Sequence, residues 1–302
     1  MSKILAIDGN NVLSRAYYAI PFRAREGQTP KNGVLGFINI MLKAIDDYQP
    51  DYVFTCFDVH APTFRHKRYA EYKAGRHPQP DELTAQFPIL KEILKVMGVV
   101  CLEIAGYEAD DLLGTISKKS DEDCGNNSNE CFIMSGDRDC LQLISDKTSV
   151  ILLTQKSGNT IDKFYNYARM LEEYSITPKE FIDVKALMGD NSDNIKGAFG
   201  IGEKSAISLI SQFGSLENIY NNLEKLKLKQ KVTLENFKNN WQENLILVTI
   251  DSNVPIEIPF IPFDKQNLAG DKVLSKLRQE GLIGLAARLE TKSKQTEQIS
   301  WF

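Results

Sequence analysis

Acidic residues follow several predicted strands of this chain at the point where each strand ends. Apolar, β-branched runs predict buried strands over Lys3–Ile7, Tyr52–Phe57, Val99–Glu103, Cys131–Ser135 and Ser149–Leu153. Asp8 follows the first run, Asp58 the second and Asp137 the fourth. Because the carboxyl ends of parallel strands share one edge of a sheet, where ligands bind, these side chains are expected to face one crevice.

Helical patterns lie between the predicted strands. Apolar residues recur every three or four positions over Val34–Ile45 and Leu83–Met97. Strands that alternate with helices predict the α/β class, with a central, mostly parallel sheet flanked by helices. After about residue 165 the strand pattern fades. We therefore expect an α/β core over 1–165, a helical region over 166–290 and a flexible polar tail over 291–302.

The acids near the predicted strand ends form a larger set of nine. They are Asp8, Asp58, Glu108, Asp110, Asp111, Asp137, Asp139, Asp190 and Asp193. A single Asp after a strand is usually a helix cap or turn residue, and a run such as EADD often starts a solvated helix. Repetition at consecutive strand ends favours a functional site instead. Crowded carboxylates need cations, and an oxygen-only donor set favours Mg²⁺ or Mn²⁺ over zinc.

A basic, aromatic segment covers residues 61–80. Its cations are Arg65, Lys67, Arg68, Lys73 and Arg76, and its rings are Phe64, Tyr69 and Tyr72. Cations that neutralise phosphate and rings that stack on bases suit single-stranded nucleic acid. A solvated helix with its aromatic residues in the core is an equally good interpretation of this segment alone.

A glycine-rich segment, 189–206, follows the last acids. Gly197, Gly200 and Gly202 allow a tight hairpin with exposed backbone N–H groups, and Lys204 adds charge at the start of the next predicted helix. Such a helix start can bind a backbone phosphate without reading the base sequence.

Composition excludes several other classes of protein. Five cysteines, without a CxxC pair, and three histidines do not give zinc-ligand spacing, so we expect reduced thiols in a cytoplasmic protein. No apolar run reaches the roughly 18–20 residues of a membrane helix. The chain carries 36 basic and 40 acidic residues, a formal net charge of −4, which by itself argues against a nucleic-acid partner.

Taken together, these motifs resemble the 5′→3′ exonuclease and flap endonuclease family, which includes the N-terminal nuclease domain of bacterial DNA polymerase I and its free-standing relatives. The resemblance covers about residues 1–290. It rests on IDGNN at Asp8, CFD at Asp58, FRHKRYAEYKAGR, GYEADD, SGDRD and GDNSDNIKGAFGIGEKSA.

The resemblance implies a PIN/resolvase-like fold with a helical arch over about 60–97 and a helix–three-turn–helix unit over about 180–214. It implies a first metal cluster from Asp8, Asp58, Glu108, Asp110 and Asp111, and a second from Asp137, Asp139, Asp190 and Asp193. Lys73 and Arg76 would polarise the scissile phosphate, Arg65 would contact a phosphate at the arch base, and Tyr17 and Tyr72 would stack near the cut. Gly197, Gly200, Gly202 and Lys204 would contact duplex DNA, with a potassium ion at the hairpin.

The implied activity is hydrolysis of DNA at 5′ ends and flaps by two metal ions, in RNA primer processing and repair, by a monomer in the bacterial nucleoid. A structure-specific DNA-binding module with weak catalysis and a PIN-type ribonuclease remain alternatives.

The tail residues Gln298, Ile299, Trp301 and Phe302 resemble the pentapeptide that binds the bacterial sliding clamp.

The acids of the predicted site also explain the charge balance. Setting nine of the 40 acids aside leaves 31 against 36 basic residues, so the remainder of the chain is mildly basic. The net charge of −4 is therefore compatible with a DNA partner.

Overall fold

The computed structural model describes residues 2–21, 29–122, 129–156 and 159–299. One six-stranded sheet runs through this part of the chain. Its strands are β1 (Lys3–Asp8), β2 (Tyr52–Cys56), β3 (Val100–Leu102), β4 (Glu130–Ser135), β5 (Thr148–Lys156) and β6 (Asn159–Tyr165). The first five pair in parallel and β6 pairs antiparallel with β5. The predicted mostly parallel sheet is confirmed, and β6 is a strand that the sequence pattern did not predict.

The order of the strands, β3-β2-β1-β4-β5-β6, fixes where a ligand can bind. The chain leaves β1 towards β2 and β3, then returns to β4 on the other side of β1. Such a reversal opens a crevice at the carboxyl ends of the two strands where the order changes. Asp8 is the last residue of β1, and Asp137 follows the end of β4 by two residues. The strand order thus places two of the predicted acids at this crevice.

Helices cover both faces of the sheet and make up most of the chain after β6. They are α1 (Gly9–Ala19), α2 (Asn32–Tyr48), α3 (Phe64–Arg68), α4 (Asp81–Thr84), α5 (Gln86–Val96), α6 (Ala109–Glu122), α7 (Tyr167–Tyr174), α8 (Pro178–Met188), α9 (Glu203–Phe213), α10 (Leu216–Tyr220), α11 (Leu228–Phe237), α12 (Trp241–Val248), α13 (Asp271–Gln279) and α14 (Ile283–Ile299). A short hairpin, β7 (Gly189–Asp190) and β8 (Ile195–Lys196), lies between α8 and α9. Among the helices described, none is long and apolar enough to cross a membrane.

Two hydrophobic cores form because side chains of β1 alternate between the faces of the sheet. Leu5 and Ile7 pack with α1, α2, α5, α13 and α14. Ile4 and Ala6 pack with α6 and with the helices from α8 to α12. Residues from both sides of position 165 therefore contribute to each core. The change from sheet to helices occurs after Tyr165, but whether 1–165 and 166–290 fold as separate domains stays a prediction.

The C-terminal part of the segment predicted as an arch, 60–97, packs in the core, and the arch itself stays a prediction. Leu90, Ile93 and Leu94 of α5 are buried in the core that also contains α2 and α13. Since β2 and β3 are parallel, the chain needs a crossover between them, and α5 is the helix of that crossover. The shorter segment before it, which contains α3 and α4, is the part that lies beside the crevice.

The segment predicted as a flexible tail, 291–302, is helical as far as Ile299, where α14 ends, and its flexibility stays a prediction. The clamp-binding prediction for Gln298, Ile299, Trp301 and Phe302 lies outside the residues whose side chains the structure describes.

Candidate active site

A polar cleft of about 230 Å³ lies at the carboxyl edge of the sheet. Eight of the nine predicted acids line it: Asp8, Asp58, Glu108, Asp110, Asp137, Asp139, Asp190 and Asp193. Lys73 and Arg76, the two predicted catalytic cations, also line the cleft. The structure therefore brings together residues from six separate parts of the chain.

Two of these acids also organise the local backbone. Asp8 caps α1, since its Oδ1 accepts a hydrogen bond from the Asn11 N–H at 2.9 Å, and its Oδ2 accepts one from the Ser135 hydroxyl at 2.7 Å. Asp58 accepts a hydrogen bond from the Ala109 N–H at 2.7 Å, where α6 begins. The helix-cap interpretation of these acids is thus correct, and it is compatible with a place in the cleft.

Four acids of the cleft form no salt bridge among the described residues: Asp8, Asp58, Asp110 and Asp137. We call these the unpaired acids. Burial raises the pKa of Asp58, and the nearby charges of Lys73 and Arg76 partly offset this shift. Burial raises the pKa of Asp8 to about 7, against its hydrogen bonds from Asn11 and Ser135, and repulsion from Asp58 and Asp137 adds to the shift. Burial also raises the pKa of Asp110, and Asp8 and Asp137 raise it further. These carboxylates repel one another, so the cleft is electrostatically suited to a cation.

Two further acids of the cleft, Asp139 and Asp190, are bound to a buried lysine, Lys185. The Lys185 Nζ lies 2.7 Å from Asp139 Oδ1 and 2.5 Å from Asp190 Oδ2, and the lysine side chain is only 8% exposed. Burial by itself would lower the pKa of Lys185, but the two carboxylates raise it above its usual value. Burial and Asp137 nevertheless raise the pKa of Asp139 to about 7, whereas Lys185 holds the pKa of Asp190 below its usual value in spite of burial.

Lys185, which lies within the apolar run VKALM of α8, is not among the residues predicted from the sequence motifs. The available signal is a single lysine on a buried helix face, five residues before Asp190, since a buried lysine is almost always paired.

Lys73 and Arg76 bind carboxylates of the cleft in this structure. The Lys73 Nζ donates to Glu108 Oε1 at 2.6 Å, and Arg76 donates to Asp193 Oδ1 at 2.6 Å. Lys73 has a positive φ of 58°, which costs a non-glycine residue energy, and its N–H donates to the Asp193 carbonyl at 3.0 Å. The loop that carries both cations is therefore held against the loop of Asp193.

Arg65 and Asp111 form a buried ion pair with each other. Arg65 binds Asp111 through two parallel hydrogen bonds of 2.8 Å, and the two side chains are 3% and 0% exposed. Asp111 also accepts hydrogen bonds from the N–H groups of Glu108 and Asp251, and Arg65 donates to the carbonyls of Leu247 and Thr249. Both groups are fully engaged within the protein. The roles of Asp111 as a metal ligand and of Arg65 as a phosphate contact stay predictions; in this structure the two side chains bind each other, and Arg65 also lines the cleft.

The two residues predicted to stack near the cut, Tyr72 and Tyr17, differ in exposure. Tyr72 is 3% exposed, and its hydroxyl lies 2.8 Å from Asp193 Oδ2 and 3.1 Å from Glu108 Oε2. Tyr72 thus packs in the core and fixes carboxylates, which is the core interpretation that the sequence left open. Tyr17 is partly buried, whereas its neighbour Tyr18, which packs edge-on against it, is 66% exposed.

The glycines of the hairpin region differ in how much space surrounds them. A Cβ on Gly197 would lie 2.1 Å from the Met188 carbonyl carbon, so Gly197 allows two backbone segments to approach closely. Gly200 has a φ of +77°, and no atom would lie within 4 Å of a Cβ on Gly200 or Gly202. Gly202 is the N-cap residue of α9, and Lys204 is exposed in the first turn of that helix. Gly200 and Gly202 are accessible to a ligand; Gly197 is needed for the fold.

The sequence matches two family models that together cover most of the chain. The first, "5'-3' exonuclease, N-terminal resolvase-like domain", matches residues 3–175, and the second, "5'-3' exonuclease, C-terminal SAM fold", matches residues 176–271. The chain belongs to the 5′-3′ exonuclease family. This confirms the resemblance found in the sequence motifs.

Curated relatives include both long and short proteins. DNA polymerase I of Bacillus subtilis is 36% identical over 299 residues, which is 98% of this chain and 33% of that protein. A 5′-3′ exonuclease of the same organism is 37% identical over 259 residues, which is 84% of this chain and 85% of that protein. This chain therefore spans about a third of the length of the polymerase relatives that it matches.

Solved structures share the fold at low sequence identity. A bacteriophage T5 flap endonuclease in a pseudo-enzyme–product complex with DNA and metal ions has a TM-score of 0.65 at 22% identity, covering 97% of this chain and 99% of its own. The catalytic core of Rad2 in complex with a DNA substrate has a TM-score of 0.58 at 18% identity, covering 92% and 87%.

Proposed function

We propose that this chain is a structure-specific 5′ nuclease, which hydrolyses DNA phosphodiesters at 5′ ends and flaps. The observation that carries the proposal is the group of unpaired acids at the sheet edge, directly beside Lys73 and Arg76. Membership of the 5′-3′ exonuclease family supports the same reaction class. We also propose roles in primer removal during replication and in repair, which are compatible with the DNA polymerase I relatives.

The donor chemistry of the unpaired acids fits Mg²⁺ or Mn²⁺. All their donor atoms are oxygen, none of them forms a salt bridge within the described residues, and a solved structure with the same fold is a complex with metal ions. Among the described residues, no three acids, histidines or cysteines converge closely enough to enclose an ion. Mg²⁺ does not need such a cage, because it is commonly held by one or two carboxylates together with water and substrate phosphate.

We therefore assign metal binding to Asp8, Asp58, Asp110 and Asp137, and propose two ions as in two-metal hydrolases. Bound metal would supply Lewis acidity and a water of lowered pKa. Glu108, Asp139, Asp190 and Asp193 surround this group and are neutralised in part by Lys73, Arg76 and Lys185. A potassium ion at the hairpin stays a prediction.

The protein's own cations position and stabilise the substrate. A scissile phosphate that enters the cleft would compete with Glu108 and Asp193 for Lys73 and Arg76. The ammonium and guanidinium groups would then offset the charge that develops on the phosphate during hydrolysis. Gly200, Gly202 and Lys204 would hold a phosphate of the duplex, which places the substrate by shape and not by sequence.

Cleavage of a duplex with a labelled 5′ flap in Mg²⁺ tests this proposal. Asp137→Asn keeps the hydrogen bond from the Asp139 N–H to Oδ1, which is 2.9 Å in the wild type, and removes the charge. We expect it to lower the cleavage rate more than about 100-fold. The matched control, Asp146→Asn, changes an exposed acid outside the cleft and should cut as the wild type does. Full activity of Asp137→Asn would refute the proposed site, and no cleavage by the wild type would refute the proposed function.

A further inference from the structure

An ion pair joins the loop of the cleft acids to the first turn of α9. Arg138 lies between Asp137 and Asp139, and Glu203 is the first residue of α9, directly after Gly202. The Arg138 Nη1 donates to Glu203 Oε2 at 3.3 Å, and its Nη2 donates to Glu203 Oε1. The two residues are 65 positions apart in the chain. The pair therefore connects the proposed metal site directly with the proposed duplex contact.

The orientation of Arg138 is fixed from two sides. Two nitrogens of its guanidinium group meet both carboxylate oxygens of Glu203, an arrangement that fixes direction as well as distance. Arg138 Nη2 also donates to the Tyr174 hydroxyl at 3.2 Å, and the guanidinium carbon lies 5.6 Å from the centre of the Tyr174 ring. The Tyr174 ring packs in turn against Phe181 of α8. Arg138 is thus held by α7 as well as by α9.

On the cleft side, a movement of Arg138 would move the metal acids. Arg138 begins a 3₁₀ helix over Arg138–Leu143, and Asp137 caps it, since the Asp139 N–H donates to Asp137 Oδ1 at 2.9 Å. Asp139 is bound in addition by Lys185 of α8. Asp137, Arg138 and Asp139 therefore form one rigid turn. The distance from Glu203 to this turn determines its distance to Asp137, one of the unpaired acids.

On the duplex side, core packing holds the first turn of α9 only in part. The first buried residue of α9 is Ala206, whereas Gly202, Lys204 and Ser205 are exposed. Within the described residues, no side chain caps this helix start, so its N–H groups are available to a phosphate. Glu203 is the side chain of this turn that reaches the turn of the cleft acids. The pair, and not the core, therefore sets the final position of the phosphate contact.

Stability does not account for the pair. The side chains of Arg138 and Glu203 are 42% and 36% exposed. Ion pairs exposed to this degree contribute little to the free energy of unfolding. Glu203 favours the start of α9 by itself, because a negative charge suits the positive end of a helix, but this effect needs no arginine. What the arginine adds is a fixed distance between the two sites.

We infer that the Arg138–Glu203 pair sets the position of the duplex contact relative to the metal acids, and thereby the position of the cut. The inference rests on the proposed nuclease function. Successive phosphates of one strand are about 3.4 Å apart along the duplex axis. If α9 shifts by a fraction of this spacing, the neighbouring phosphodiester reaches the metal ions. Arg138 and Glu203 are thus positioning residues, which make one phosphodiester the preferred one without touching it.

Single and double variants of the full chain test the inference. Arg138→Gln, Glu203→Gln and the double variant each remove the pair. The two single changes alter the local charge in opposite directions, so an effect on metal binding through charge alone would have opposite signs. The matched controls are Arg169→Gln and Glu173→Gln on α7. They remove an ion pair with a distance of 3.7 Å between Arg169 Nε and Glu173 Oε2, and its side chains are 42% and 38% exposed.

The products of a labelled 5′-flap duplex are separated at nucleotide resolution in saturating Mg²⁺. We expect the ratio of product from neighbouring positions to product from the main position to rise about two- to fivefold in each single variant, since a partly exposed ion pair is modest in strength. The double variant should equal the single variants, because a contact that is lost at either end is lost completely. KM should stay within about twofold of the wild type, and the melting temperature within about 3 °C. Both controls should cut at the wild-type positions.

An unchanged product ratio in either single variant overturns the inference. Opposite shifts in the two single variants also overturn it, as does a double variant in which the two changes add, because Arg138 and Glu203 would then act independently. An equal spread of cuts in the control variants would show that any lost ion pair has this effect, and would overturn it as well.

A wild type that does not cut contradicts the proposed function, and hydrogen–deuterium exchange of the DNA-free chain then decides about the pair. Both single variants should speed exchange over residues 198–206 about two- to fivefold, because the first turn of α9 is no longer held. Unchanged exchange in this segment would overturn the inference without any reference to cleavage.

Discussion

At the scale of single residues, the decisive distinction is between paired and unpaired carboxylates. Asp110 and Asp111 are neighbours in GYEADD and carry the same charge. Asp110 faces the cleft without a cation, whereas Asp111 is buried with Arg65. The sequence predicts that both lie near the start of one helix, but the partner of Asp111 is 46 positions away, so spacing alone does not separate their roles.

The pH dependence of stability follows from the crowded acids. The pKa of Asp8 and of Asp139 is about 7 in the folded protein, compared with the ordinary value of 3.8. At a pH between these two pKa values, the folded protein holds protons that the unfolded chain has lost. The free energy of unfolding therefore falls as the pH rises through this window, by at most roughly 1.4 kcal/mol per pH unit for each carboxyl.

In EDTA, we therefore expect a lower melting temperature at pH 8 than at pH 6, measured by differential scanning calorimetry. Mg²⁺ should raise the melting temperature at pH 8, because bound metal neutralises the same carboxylates. A melting temperature in EDTA that stays level or rises between pH 6 and pH 8 would contradict this electrostatic account.

At the scale of elements, the sequence predicted the helices and strands whose apolar residues form a regular pattern or a continuous run. The five predicted strands are all present, because a parallel strand buried on both faces has a continuous apolar run. The edge strand β6, with the sequence NTIDKFY, mixes polar and apolar residues and was missed. The family resemblance implies an arch that extends over residues 86–96, but their apolar face packs in the core. Local patterns do not specify which partner a helix packs against.

The hairpin between α8 and α9 gives a prediction at this scale. Gly197→Ala would place a Cβ 2.1 Å from the backbone of Met188, so we expect it to cost about 1–3 kcal/mol of unfolding free energy or more. Gly202→Ala introduces its Cβ into open space at a φ of −89°, so its stability should match that of the wild type. Urea denaturation measures both. Equal stability of the two variants would show that the close approach at Gly197 does not control the hairpin.

At the scale of the whole molecule, one chain combines a sheet edge, a cation-bearing loop and a helical region around a single cleft. The segments that line it range from Asp8 to Ile250, and α13 and α14 return to cover the opposite face of the sheet. The sequence predicted the fold class and most members of the cleft, since parallel topology brings strand ends together. It did not reveal how charges pair across the cleft, because Lys185, Arg76 and Lys73 reach their acids only through tertiary packing.

The central claim is that the unpaired acids hold the metal ions of a 5′ nuclease. Mn²⁺ binding to the DNA-free chain, followed by electron paramagnetic resonance, tests it most directly when Asp110→Asn is compared with Asp111→Asn. We predict that Asp110→Asn weakens Mn²⁺ binding more than about 100-fold at an unchanged or raised melting temperature. Asp111→Asn should instead lower the melting temperature, because it leaves Arg65 buried without its partner, and its folded form should still bind Mn²⁺. Wild-type Mn²⁺ affinity in Asp110→Asn would contradict the account.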